Sequence, residues 1–190
     1  MAHYEDIFSM IMPEVPGCPA PLAIQNLRQA AREFCQQTWI WQDTVPFEIE
    51  ADYREAYVSV PRDGRLVAVR YLLEDGQELD VPDKLMIKTK RDPVEFEHEP
   101  EKSKNLQARV VLQPREDSKE CPDWLVADHA EAIASGAKRR LMLMPGKDWS
   151  NPDLAKVHYQ EFRREVARAR VAISKGYSEK SLRVQPRSFR

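Results

Sequence analysis

Hydrophobic periodicity changes twice along this chain, and that double switch limits the fold more than any single motif does. Downstream of Pro21, residues Leu27, Ala31, Phe34, Thr38 and Trp41 recur at the three-and-four spacing of one buried helical stripe, with Ile24 and Cys35 flanking it. Gln25, Arg28, Gln29, Arg32, Glu33 and Gln36 fill the opposite side, so the spacing predicts an amphipathic helix ending near Trp41. Pro21 suits its first turn, where the missing N–H has no helical partner anyway. A shorter helix is expected over Tyr4–Met12, with Ile7, Phe8 and Ile11 inward and Pro13 halting it.

Between residues 44 and 113 the period becomes two. Phe47/Ile49/Ala51, Ala56/Val58/Val60, Val67/Val69/Tyr71/Leu73, Leu85/Ile87, Val94/Phe96 and Leu106/Ala108/Val110/Leu112 alternate with polar neighbours. Asp63-Gly64 and Asp75-Gly76 separate such runs, where a hairpin needs residues that accept positive φ. The charged stretch Glu97–Asn105 reads as a loop. About six antiparallel strands are expected.

Helical spacing returns after Cys121-Pro122. Leu125, His129, Ile133, Gly136/Ala137 and Leu141/Met144 form one stripe, which Met144-Pro145-Gly146 terminates. Ala130, Ala134, Gly136 and Ala137 are small enough for another helix to approach closely. A last helix, Asp148–Lys175, is expected to be capped by Ser150 or Asn151 with Pro152 at its first position. Leu154, His158, Phe162, Val166, Ala169 and Ile173 run down its buried side, and Gly176 ends it. The fold class expected is therefore α+β. Residues 1–43 and 120–175 form a bundle of three or four helices, 44–119 form an inserted antiparallel β-sandwich or barrel, and 176–190 form an extended C-terminal arm.

Hydrophobic content of 42% and charged content of 32% belong to a soluble globular chain. No apolar run approaches the roughly 20 residues that span a bilayer, so no membrane partner is expected. The start, Met1 to Asp6, lacks the basic and apolar regions of a secretory leader. Cys18, Cys35 and Cys121 are odd in number and far apart, which speaks for a reducing compartment. With a net charge of −2, whole-surface attraction to nucleic acid is not expected.

Enzyme signatures are missing: there is no phosphate-cradling glycine loop, nucleophile elbow or dinucleotide fingerprint. No catalytic residue, metal site or cofactor is assigned. His3, His98, His129 and His158 are scattered; the last two lie on helical stripes and read as packed core. Asp123, Asp128 and Glu131 around one helix start suit the helix dipole. Arg163, Arg164, Arg168 and Arg170, with Lys138-Arg139-Arg140, read as solvated helix faces paired locally to Glu161 and Glu165. Glu95, Glu97 and Glu99 share one strand face, either simply exposed or forming a negative wall that would repel passing DNA. Trp39, Trp41, Trp124 and Trp149 read as core, with subunit contact as the alternative. Gly176–Arg190 has four basic residues against one acidic, and Leu182, Val184 and Phe189 along a polar strip, so it reads as an arm that docks onto a partner.

Several segments together resemble the head-to-tail adaptor proteins of tailed bacteriophages. They are Leu27–Cys35 with Thr38–Trp41, Pro122-Asp123-Trp124 leading into Ala132–Ala137, Leu143–Lys147, Trp149–Pro152, and Ala167–Arg170. The strand region is matched only in type and position. The resemblance implies a non-enzymatic virion protein, made in the host cytoplasm and placed at the head–tail junction. Such proteins form a ring, commonly of twelve copies, that binds the portal, carries tail or nozzle proteins and surrounds the genomic DNA without reading its sequence. On this chain the portal would meet Leu182, Arg183, Val184, Arg187, Phe189 and Arg190. Neighbouring subunits would meet through Trp149, Arg139, Arg140, Arg163 and Arg164. Another neck or tail-completion protein is the closest alternative; a nucleic-acid-binding protein and an enzyme are more distant ones.

Overall fold

A computed structural model describes residues 1–74, 77–78, 87–89, 94–96 and 103–175. The class is α+β, with two antiparallel sheets between the second and third helices in chain order and a short N-terminal strand paired to the last strand before the third helix.

The N-terminal helix is shorter than its spacing suggests. α1 is Glu5–Phe8, and Met12–Glu14 forms a separate 3₁₀ turn. Met10 N–H bonds Ile7 O at 3.0 Å and Ile11 N–H bonds Phe8 O at 3.2 Å, so the chain tightens into three-residue turns before Pro13. Tyr4, Ile7, Ile11 and Val15 are nevertheless fully buried. The inward spacing therefore continues past the end of the shortened helix.

α2 spans Ala20–Thr38 and stops three residues short of Trp41. Thr38 Oγ1 donates to Phe34 O at 2.7 Å, and Trp39 takes left-handed backbone (φ 59°) while its N–H bonds Cys35 O at 2.9 Å. Leu27, Ala31, Phe34 and Thr38 are buried as the stripe requires, and Ala23, Asn26 and Ala30 widen it. α3 is Asp123–Met142 and α4 is Pro152–Ser174. Asn151 caps α4, its side chain accepting from Leu154 N–H at 3.0 Å. A kink at His129 (φ −132°) bends α3, where the ring lies 4.9 Å from Phe34 and 6.3 Å from Trp124. Burial lowers the His129 pKa, so this ring packs as a neutral aromatic.

Among the described residues, the strands are β1 (Ala2–His3), β2 (Gln42–Ile49), β3 (Glu55–Ala56), β4 (Gly64–Glu74), β5 (Gln77–Glu78), β6 (Ile87–Thr89), β7 (Val94–Phe96), β8 (Lys104–Pro114) and β9 (Glu120–Cys121). One sheet runs β2-β8-β4-β5, a second β3-β7-β6, and β1 pairs with β9. A Phe47–Val58 bridge joins the first two. β8 starts at Lys104, inside the stretch that reads as loop. Glu74 pairs with Gln77 across Asp75-Gly76, two residues outside the described set. Asp63-Gly64, by contrast, does not join neighbouring strands: Gly64 pairs with Pro114 of β8.

The face expected for β4 is wrong. Leu66, Ala68, Val69 and Leu72 are buried, whereas Val67, Tyr71 and Leu73 are half-exposed. Register shifts between Leu66 and Ala68 and between Val69 and Tyr71 each insert a residue, which breaks strict alternation.

Two apolar clusters result. One draws on Tyr4–Cys35 and Cys121–Ala169, the other on Val45–Leu112, and Trp41 packs against both. Trp41 O also accepts from Leu112 N–H at 2.8 Å, so this residue ties the end of α2 to β8 by backbone as well as by side chain.

Candidate interaction surface

The arm residues Leu182, Arg183, Val184, Arg187, Phe189 and Arg190 lie outside the described residues, as do Gly176, Glu97 and Glu99. Glu95 is described for its backbone, which pairs with Glu55 across β3 and β7.

Arg139 and Arg140 are engaged within the chain. Both donate to Glu33 Oε2, at 2.8 and 2.7 Å, and Arg140 also donates to Gln29 at 3.1 Å. The Arg139 guanidinium sits over the Tyr159 ring at 5.2 Å and over Phe162 at 5.8 Å. These contacts pin α3 to α2 and α4, because two cations converge on one carboxylate that is itself mostly buried. Arg163 also lies over the Tyr159 ring, at 5.8 Å, so Tyr159 meets two guanidinium groups and is still 42% exposed. Arg164 is mostly solvent-facing, 4.0 Å from Glu165, which takes its close ion pair from Arg168 at 2.7 Å. Trp149 packs half-buried on the helical cluster with Lys147 over its ring at 6.0 Å; among the described residues its indole Nε1 has no partner.

His158 belongs to a polar cluster rather than to plain core. Its ring is 5% exposed, with Nε2 2.7 Å from Glu14 Oε2 and Nδ1 3.0 Å from Glu161 Oε2. Lys138 donates to the other Glu14 oxygen, and Ser135 donates to Glu161 at 3.2 Å. Burial acts to raise the Glu14 pKa, but the hydrogen bonds from Lys138 and His158 outweigh it and hold the carboxyl below its ordinary range. His129 and His158 therefore have separate partners, and the expected pairing of Glu161 with a neighbouring arginine is replaced by one to His158. The cluster locks the 3₁₀ turn onto α3 and α4. Among the described residues no group of three His, Cys, Asp or Glu side chains is placed to hold a metal ion.

A cleft of about 820 Å³ separates α2 from the sheet and is lined by Arg32, Gln36, Gln113 and Arg115. Its charges are largely matched: Arg115 grips Asp117 through two bonds of 3.0 and 3.2 Å, and Arg32 lies 3.6 Å from Glu116. Gln36 donates to Gln113 at 2.6 Å across it.

A different surface was missed by sequence reasoning. Trp39 is 40% exposed, not core, and lines a pocket of about 470 Å³ with Arg70, Arg170 and Ile173. The signal was present: Trp39 directly follows Thr38, the last stripe position that the helix buries. Arg70 carried none, because only the second bulge in β4 decides where its side chain points.

No known family model matches the chain, and no curated protein matches it. Among the described residues, no helix is long and apolar enough to cross a membrane.

Proposed function

We propose that this chain is a head-to-tail adaptor of a tailed bacteriophage virion, a structural protein that assembles as a ring on the portal and carries the tail. The observation behind this reading is where the adaptor-like segments fall. Leu27–Cys35 and Thr38–Trp41 form α2 and its exit, Pro122–Trp124 opens α3, Leu143–Lys147 makes the α3–α4 turn, and Trp149–Pro152 caps α4. All belong to the unit built around the larger apolar cluster, with the strands inserted between its halves.

In this reading the β region closes as a sandwich or barrel and faces outward or toward the tail. Residues 176–190 leave the end of α4 as the portal-docking arm. Ordering such an arm costs roughly 1–2 kcal/mol per residue, so a single copy binds weakly and a ring holds through many simultaneous contacts. Leu182, Val184 and Phe189 are the apolar anchors, and Arg183, Arg187 and Arg190 meet acidic or carbonyl groups. Trp149, Arg163 and Arg164 remain open for subunit contact, while Arg139 and Arg140 act indirectly by setting the α2–α3 angle. Glu95, Glu97 and Glu99 keep DNA from adhering.

Size-exclusion chromatography of the chain with the portal protein encoded in the same phage genome tests this. Co-migration is expected. Elution apart from the portal, together with co-migration with a different ring, would make it a neck or tail-completion protein instead.

A further inference from the structure

Trp39 combines two unfavourable properties. Its backbone sits at φ 59°, where a bulky residue is strained and a glycine at a helix end would not be. Its indole, moreover, is left 40% exposed. Neither helps the chain fold, so the side chain's value lies in what it offers outward.

Two arginines, Arg70 and Arg170, line the same pocket, and a third lies further along the adjoining sheet face. Arg170 reaches back from α4 so that its Nε donates to Gln37 O at 2.6 Å, which anchors the guanidinium in the pocket that Trp39 lines. Arg70 donates to Gln42 Oε1 at 2.9 Å and lies 5.8 Å over the Tyr71 ring. Arg109, cross-strand from both Thr44 and Tyr71, donates to Thr44 Oγ1 at 3.0 Å on the same sheet face. All three guanidinium groups are oriented by neutral oxygens. Among the described residues none of them makes an ion pair with a carboxylate.

We propose that Trp39, Arg70, Arg109 and Arg170 form a docking surface for an acidic peptide segment of a partner protein. An aliphatic or aromatic side chain of the segment would lie on Trp39 and Ile173 in the 470 Å³ pocket, and its carboxylates would pair with the three guanidinium groups. Charge complementarity selects the partner. A peptide with two or three carboxylates satisfies the cations present. A nucleic-acid strand needs a continuing row of cations, yet two pairs along β2 from Thr44 the same face presents Glu48. The surface needs neither the ring nor the arm, so it stands or falls separately from the adaptor reading.

Fluorescence anisotropy with the full chain provides the test. The probe is a short labelled peptide alternating Glu with Leu and Phe; a Lys-for-Glu version and a labelled oligothymidine serve as comparisons. The Glu peptide should bind and weaken with salt, and it should lose about tenfold or more in affinity with W39G and with R70E. R70E replaces an exposed strand residue and should stay folded, so its loss of binding is not a loss of structure. Failure of the parent to bind the Glu peptide would overturn the proposal. So would undiminished binding by both variants, equal binding of the Lys peptide, or tighter binding of the oligothymidine.

Discussion

A methyl group built on Gly136 of α3 would stand 2.9 Å from the Cβ of Ala30 on α2, and 3.1 Å from two carbons of the Phe162 ring on α4. Three helices therefore meet at a point where one of them can have no side chain. Gly136→Ala gains up to about 1 kcal/mol of helix propensity but overfills this crossing, at a cost of about 1–3 kcal/mol. The neighbours are a backbone-tethered Cβ and a buried ring, which have little room to yield. The expected outcome is a net loss of about 1–2 kcal/mol, read as a lower urea midpoint. A midpoint equal to or above that of the parent would mean that the helices separate more easily than their packing implies.

Glu14 links the 3₁₀ turn to Lys138 and His158, and its folded-state pKa is held below the ordinary 4.5. A carboxyl with a depressed folded pKa contributes stability that is present above its unfolded pKa and is lost as pH falls through the folded value. Glu14→Gln should therefore destabilise at pH 7 by about 1–3 kcal/mol, toward the lower figure because the side chain is 35% exposed. Below about pH 4 the gap between parent and variant should narrow. Urea midpoints of both proteins across this range check the sign; a gap that widens in acid would assign the stabilisation to some other group.

Burial raises the pKa of all three thiols: Cys121 is pushed up to about 11, Cys35 higher still, and Cys18 above its usual value. At neutral pH each is almost wholly protonated and shielded, hence a poor nucleophile. A chromogenic disulfide reagent should react on the order of a hundredfold more slowly with the native chain than in denaturant, where three thiols titrate. A thiol that reacts at once in the native chain would show that one of the helical contacts around it opens readily.

The helical part was legible because its signals are local. The Leu27–Ala31–Phe34–Thr38 stripe, the Asn151-Pro152 start and the Met144-Pro145-Gly146 stop each need only neighbouring residues to be read. β2 and β8 were legible for the same reason, since Val45/Phe47/Ile49 and Leu106/Ala108/Val110/Leu112 alternate without interruption. β4 was not, because its two bulges are settled by the register against β8, a strand some forty residues away in the chain. The first helix is shorter than its spacing suggests because three-residue turns after Phe8 keep Ile11 inward without continuing the α-helix. The arginines of the surface were visible as residues but not as a site. Arg139 and Arg140 looked available until Glu33 and Tyr159 were brought to them, whereas Trp39 looked buried until Thr38 ended the helix beneath it.

We propose that the chain docks on a portal ring through residues that follow α4. Electron microscopy of purified portal mixed with the full chain, and separately with a chain ending at Lys175, tests it most directly. The full chain should add a ring of density beneath the portal. The shortened chain should melt at the same temperature as the full one and leave the portal bare, since the described contacts of the helical core lie before its end. A portal left bare by the full chain, or decorated equally by both, would contradict the account.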